Sequence, residues 1–220
     1  MTDIKKQIQE ATEAGLCLGH PSSQIHPKMK PYILMEKQNI HIIDVQKSLE
    51  TLQKAMDFLK LAKKQEKTFL LVGTKVQVKD LTEKTAKEIN IPYVCQRWLG
   101  GTLTNFQTIK KRIDYFKELE QKNLDKYTKK EKQDFEKEKQ DLDLKIGGIK
   151  NMEKLPDVLI VLDMRKDLLA VKEARKKEIT IIGVADTNIN PELADYPILA
   201  NDDKVSSIQY ILDNIKKALL

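Results

Sequence analysis

The sequence predicts an α/β fold: a parallel sheet covered by helices on both faces, with a helical hairpin inserted into it. Three observations carry that prediction. Short apolar runs recur at 68–73, 157–163, 180–186 and 197–202, each bounded by charge, glycine or proline. Amphipathic helical patterns alternate with them, and strands buried on both faces between crossover helices form parallel sheets. Between 105 and 145 the alternation stops, and two helical patterns follow each other without a strand.

In chain order, a first helix is expected from Asp3 to about Ala14, stopped by Gly15. The stretch GLCLGHPSSQIHPKMKPYI carries three prolines, two glycines and two histidines, which predicts an irregular arm. NIHIID at 39–44 alternates as a short strand, and Val45, Leu49, Leu52, Met56 and Leu59 then form one apolar helix face. TFLLVG reads as a strand and is followed by a helix to about Glu88; IPYVCQRW restarts an extended segment. DVLIVLD, a helix through VKEARKK, TIIGVAD, PILAND and a last helix bearing Val205, Ile208, Ile211, Leu212 and Ile215 complete the pattern.

The inserted segment has its own logic. Phe106, Ile109, Ile113, Phe116 and Leu119 make a helical stripe, NLDKYT interrupts it, and Thr128 with Glu131 fits a capping box opening a second helix. That second helix offers little more than Phe135, Leu142 and Leu144 for packing. Sparse apolar seams with charged flanks suggest a coiled-coil hairpin standing away from the globule, the alternative being a plain pair of surface helices. The expected division is a globular domain at 1–104 and 146–220 and a hairpin at 105–145, with Gly147 and Gly148 turning the chain back.

Basic residues number 39 against 33 acidic, a formal charge of +6. The surplus favours a polyanionic partner, although the scarcity of arginine beside lysine also fits a coding bias. Cys17 and Cys95 are the two cysteines and lack metal-ligand spacing, so reduced thiols are expected and a disulfide framework is not. The first ten residues lack an apolar signal core, and no apolar run approaches the ~20 residues that span a bilayer, so an intracellular chain without a membrane role is expected.

QRWLGGTLTNF at 96–106 is the densest chemical signal. Arg97 offers a planar fork suited to phosphate, and Trp98 either a stacking face or a core plug. Gly100 and Gly101 permit close backbone approach, while Thr102, Thr104 and Asn105 supply small hydrogen-bonding groups. No nucleophile–base pair stands here. Lys28 and Lys30 lie on a stretch stiffened by Pro27 and Pro31, which limits the entropy lost on docking to phosphates, and Lys110 and Lys111 carry basic character onto the next helix. Gly73, Thr74 and Lys75 stand where a strand hands over to a helix, a position that attracts phosphate, but without P-loop or dinucleotide-fold spacing a tight turn explains them as well.

None of His20, His26 and His41 has the spacing of a helical zinc pair. Asp163, Asp186, Asp202 and Asp203 fall near expected carboxyl ends of strands, where α/β ligand sites gather. A divalent cation held by His20, Asp186 and Asp202 is one arrangement this allows; caps and turn formers are the other.

GLCLGH, HPKMKPYI, IHIIDVQK, LVGTK, QRWLGGTLTNF, GGIK, LPDVLIVLD, ADTNINP and ANDD occur in that order. Together they resemble the family of the second protein of the small ribosomal subunit, in its bacterial or organellar form, over nearly the whole chain. The resemblance implies a flavodoxin-like domain with a protruding coiled coil and no catalysed reaction. It also implies binding to small-subunit ribosomal RNA and to neighbouring ribosomal proteins, including the large first protein where one exists. On that basis Arg97, Lys28, Lys30, Lys110 and Lys111 are expected to contact phosphate, with Trp98, Thr104 and Asn105 stacking or positioning. No cofactor or small-molecule substrate is implied, and the expected place is the ribosome of a bacterial cytoplasm, or of a plastid or mitochondrion. Departures from the family pattern are Cys17 in place of a histidine, Gln24-Ile25 in place of an arginine and an aromatic, and Glu178-Ile179-Thr180 in place of Gly-Ile-Pro. The first weakens a metal role for the arm, and the second its contact with RNA. The rival readings are a flavin- or nucleotide-binding protein using LVGTK and the strand-end aspartates, and an adaptor that recruits proteins through 105–145.

Overall fold

The computed structural model describes residues 2–122 and 127–220, so most of the NLDKYT interruption lies outside the described residues. Helix α1 (Thr2–Ala14) ends where Gly15 takes a φ of +82°, the left-handed backbone that glycine adopts without strain. The arm expected to be irregular is instead largely organised. Strands β1 (Leu18–Pro21), β2 (Ile33–Lys37) and β3 (Ile40–Ile43) form an antiparallel sheet in the order β1-β3-β2, with a 3₁₀ helix over Pro27–Tyr32. Gln38 and Asn39 join β2 to β3 with φ of 52° and 61°, as a two-residue hairpin turn of the primed type requires.

Helix α2 (Val45–Lys64) starts at Asp44, whose carboxylate accepts from the Gln46 N–H at 3.0 Å. There follow β4 (Phe69–Val72), α3 (Lys79–Glu88), β5 (Tyr93–Val94), α4 (Phe106–Gln121) and α5 (Lys129–Ile146). Next come β6 (Val158–Val161), α6 (Leu168–Lys176), β7 (Thr180–Ala185), β8 (Tyr196–Leu199) and α7 (Val205–Leu219). The five later strands are all parallel, in the order β5-β4-β6-β7-β8. Counted along the chain from β4 this is 2-1-3-4-5, a doubly wound sheet whose order reverses between β4 and β6.

Side-chain alternation along these strands divides the interior into two cores. Leu70, Val72, Leu159, Val161 and Ile181 face one side, where Met29 of the 3₁₀ helix, Ile43 of β3 and the apolar residues of α4 and α6 cover them. Phe69, Leu71, Val158, Ile160 and Ile182 face the other, under α1, α2 and α7. The α4 stripe is therefore no bare surface seam: Ile109, Ile113 and the fully buried Phe116 belong to the same core as Trp98 and Leu103, and Leu119 is buried as well. Helix α5 buries only Ile146 among its residues, and Leu144 is exposed. Its capping box is formed: Thr128 accepts from the Glu131 N–H, and Glu131 accepts from that of Thr128. Tyr115 donates to Glu138 at 3.0 Å between the two helices. Among the described residues no helix is long and apolar enough to cross a membrane.

Candidate nucleic-acid interface and the strand-end cleft

The segment between β5 and α4 is bound to a residue 69 to 75 positions away. Glu173, buried on α6, accepts from Trp98 Nε1 at 3.1 Å and from the backbone N–H groups of Gly101, Leu103 and Thr104 at 2.8, 3.0 and 3.1 Å. The Thr104 hydroxyl donates to the same carboxylate at 3.1 Å. Five donors thus converge on two oxygens. Gly101 has a φ of +91°, a conformation glycine takes freely, and it turns its N–H toward the carboxylate. Burial alone would raise the Glu173 pKa, but the donors from Gly101, Thr104, Leu103 and Trp98 outweigh it and hold the group below the ordinary glutamate value.

This geometry corrects one expectation. Trp98 is 7% exposed and its indole is committed to Glu173, so it fills the core and has no free face on which a base could stack. Thr104 is half-buried, with both its donors used by Glu173. Arg97 and Asn105, on either side of the gripped residues, are exposed, as are Lys30, Lys110 and Lys111. Asn105 Oδ1 accepts from the Thr108 hydroxyl at 2.9 Å in the first turn of α4. Lys28 is exposed but pairs with Glu192 at 2.9 Å, a surface contact that holds it weakly. Glu173 was not among the residues expected to matter. Its signal was present: it follows Ala170 by three places and precedes Ala174 by one, which sets a carboxylate among apolar side chains on the buried face of α6.

A second cluster lies at the carboxyl ends of β4, β6, β7 and β8, beside the reversal of strand order. Lys75 Nζ sits 2.7 Å from Asp203 Oδ1, 2.8 Å from Asp202 Oδ1 and 3.0 Å from Asp163 Oδ2. Burial works against its charge, but Asp202, Asp203 and Asp163 prevail and raise its pKa. His20 of β1 places Nδ1 3.1 Å from Asp186 Oδ2 and Nε2 3.3 Å from Asp203 Oδ2. Asp186 first, then Asp202 and Asp203, hold the imidazolium above its ordinary pKa against burial. His20, Asp186 and Asp202 bring ligand atoms within 4.8 Å of one another. Asp202 is pushed up to about 7 by burial, with Asp163 and Asp186 adding repulsion and Lys75 opposing it. Beside them Thr74 is committed to Asp167, its hydroxyl donating at 2.7 Å and its N–H at 3.2 Å. The G-T-K turn is thus occupied by carboxylates, which repel phosphate. His26 and His41 take no part in this cluster: His26 Nδ1 accepts from the Lys28 N–H, and His41 is buried on β3.

The small sheet is tied to this edge. The His20 N–H donates to the Thr187 hydroxyl at 3.0 Å and the His26 N–H to the Thr187 carbonyl at 2.8 Å. Gly19 passes so close that an added Cβ would stand 2.6 Å from Thr187 Cγ2, so a larger residue there would push the arm off the sheet.

A model of the ribosomal protein S2 family matches residues 12–220. The chain belongs to that family. Among its relatives, small ribosomal subunit protein uS2 of Dictyoglomus thermophilum is 46% identical over 217 residues, covering 97% of this chain and 88% of the relative. The uS2 of Coprothermobacter proteolyticus is 43% identical over 97% of this chain and 81% of its own length. The uS2c protein of Rhodomonas salina is 44% identical over 96% of this chain and 89% of its own length.

Proposed function

We infer that the protein is a structural constituent of the small ribosomal subunit, bound to its RNA and to other subunit proteins, and not an enzyme. The membership of the ribosomal protein S2 family over residues 12–220 carries this reading. The rival flavin or nucleotide site is disfavoured, because Lys75 and Thr74 at the strand ends are already bound by Asp163, Asp202, Asp203 and Asp167.

Within that role, Arg97, Asn105, Lys30, Lys110 and Lys111 are the proposed RNA-facing residues, with Lys28 reached by opening its pair to Glu192. They are exposed, and the cations suit phosphates, which fix orientation more than they read sequence. Residues 105–145 form the proposed coiled-coil hairpin set on the flavodoxin-like domain at 1–104 and 146–220; the cross-helix bond from Tyr115 to Glu138 and the exposure of α5 support it. The site of action is the ribosome of a bacterial cytoplasm, or of an organelle.

Arg97→Ala is expected to lose to the natural chain in competitive incorporation into small subunits, while Lys139→Ala, on exposed α5, competes evenly. Equal incorporation of both variants would refute the assignment of Arg97.

A divalent cation at His20, Asp186 and Asp202 is a second, separate proposal. The convergence of their ligand atoms within 4.8 Å supports it, and the ammonium of Lys75 on Asp202 competes with it. Calorimetric titration with Mg²⁺, Mn²⁺ and Zn²⁺ tests it: heat abolished by Asp186→Asn supports the site, and no heat with any of the three removes it.

A further inference from the structure

We propose that Glu173 is the positioning residue of the RNA-facing loop, its carboxylate fixing Arg97 and Asn105 in the attitude that RNA meets. The proposal rests on the reading of Arg97 as an RNA contact and adds the device that sets it. Every residue from Trp98 to Thr104 that donates to Glu173 lies between the two exposed candidates. Arg97 adjoins the first gripped residue and Asn105 the last. Neither Arg97 nor Asn105 has a hydrogen bond to Glu173, so the carboxylate acts on them through the backbone and through the anchored indole.

The physical reason is preorganisation. A loop with two glycines, Gly100 and Gly101, has many conformations to lose on docking, and that loss weakens binding unless folding has already imposed it. One carboxylate on a rigid helix imposes it here. Its Oε1 takes the indole and Gly101, and its Oε2 takes Leu103 and Thr104, so each oxygen holds a different end of the loop. Below it Leu103 and Trp98 are packed in the core with Phe116, so the loop has a floor as well as a clamp. The anion is far enough inside, and sufficiently surrounded by donors, that it does not turn a negative face toward phosphate. A glutamine cannot replace it, because its amide NH₂ would confront N–H donors where an oxygen now accepts.

A double-mutant cycle in the full-length chain separates positioning from plain stability. Arg97→Ala, Glu173→Gln and the double variant each compete with the natural chain for small subunits stripped of this protein. The incorporated ratio is read by mass spectrometry, and unfolding midpoints are measured alongside. Arg97→Ala and Glu173→Gln are each expected to lower the ratio by about tenfold, while the double variant falls well short of the roughly hundredfold loss of independent effects, the remainder being the share of the positioning that acts on Asn105. Thr104→Val, which removes a single donor and leaves the carboxylate, should fall between and cost less on the Arg97→Ala background than alone. The unfolding cost of Glu173→Gln should be the same with or without Arg97. Losses that multiply in the double variant would overturn the positioning role. If Arg97→Ala itself incorporates normally, the assignment of Arg97 fails, and Glu173 is then a fold element alone.

Discussion

Lys75 Nζ lies 2.8 Å from Asp202 Oδ1, at the point where the order of the parallel strands reverses. That point is where doubly wound sheets usually receive a ligand, and here a side chain of the protein itself fills it. Asp163 and Asp202 are almost wholly buried, so the ammonium is what makes their charge tolerable.

Lys75→Met should therefore destabilise the chain by roughly 3 kcal/mol, the cost of leaving buried carboxylates without their partner. Urea unfolding near neutral pH measures it. A change within about 0.5 kcal/mol, as for an ordinary surface substitution, would show that the cluster is solvated and not a structural ion network.

Asp167 gives a pH test with a definite sign. Burial first of all, then the nearby Asp163, raises its pKa from 3.8 to about 6, against the donors of Thr74 and the charge of Lys166. The folded protein holds this proton more tightly than the unfolded chain. The ionised group therefore costs nothing below pH 3.8, and its penalty builds until about pH 6. Relative to Asp167→Asn, the natural chain should lose stability between those values and show a constant difference above them. Melting temperatures of the two proteins across that range decide it; a difference that ignores pH would contradict the burial argument.

The corrected role of Trp98 predicts a stability effect. Trp98→Ala should cost about 3–5 kcal/mol by removing a large buried side chain. Trp98→Phe keeps most of the volume and loses the bond to Glu173, at roughly 1.5–3 kcal/mol for a hydrogen bond to a charged group. Denaturant unfolding gives both values. If either variant keeps full stability yet incorporates poorly into subunits, the indole faces RNA after all.

The inserted helices should respond unequally. Phe116→Ala on α4 should cost about 3–5 kcal/mol, since Phe116 is fully buried in the main core. Leu144→Ala on α5 should be within about 0.5 kcal/mol of neutral, because its side chain is 58% exposed. Comparable losses would mean that α5 is packed as closely as α4.

Legibility in the sequence follows these same physical lines. Four of the five parallel strands were plain, because strands buried on both faces are written as unbroken apolar runs such as FLLV and VLIV, whereas the two-residue β5 within IPYVCQRW reads only as extended. The cap of α5 was equally plain, announced by Thr128 and Glu131. The small sheet was half hidden. Its hairpin turns on Gln38-Asn39 instead of a glycine-bearing pair, and β2 runs Ile-Leu-Met-Glu-Lys without alternation, largely exposed. At the candidate interface, Arg97 and the surface lysines could be named from residue type, and they are exposed. Trp98 could not be placed, because an indole suits a base and a core equally until its partner is known. That partner, Glu173, is 75 residues away, a pairing that only the fold creates.

The central claim, that this chain works as a part of the small subunit, is tested most directly by sedimentation. A cell lysate is separated on a sucrose gradient at moderate salt, and the chain is followed by immunodetection. It should travel with the small-subunit RNA, and subunits from cells depleted of it should be altered in composition and in translation. A chain that stays at the top of the gradient, with such subunits unchanged in both respects, would contradict the account.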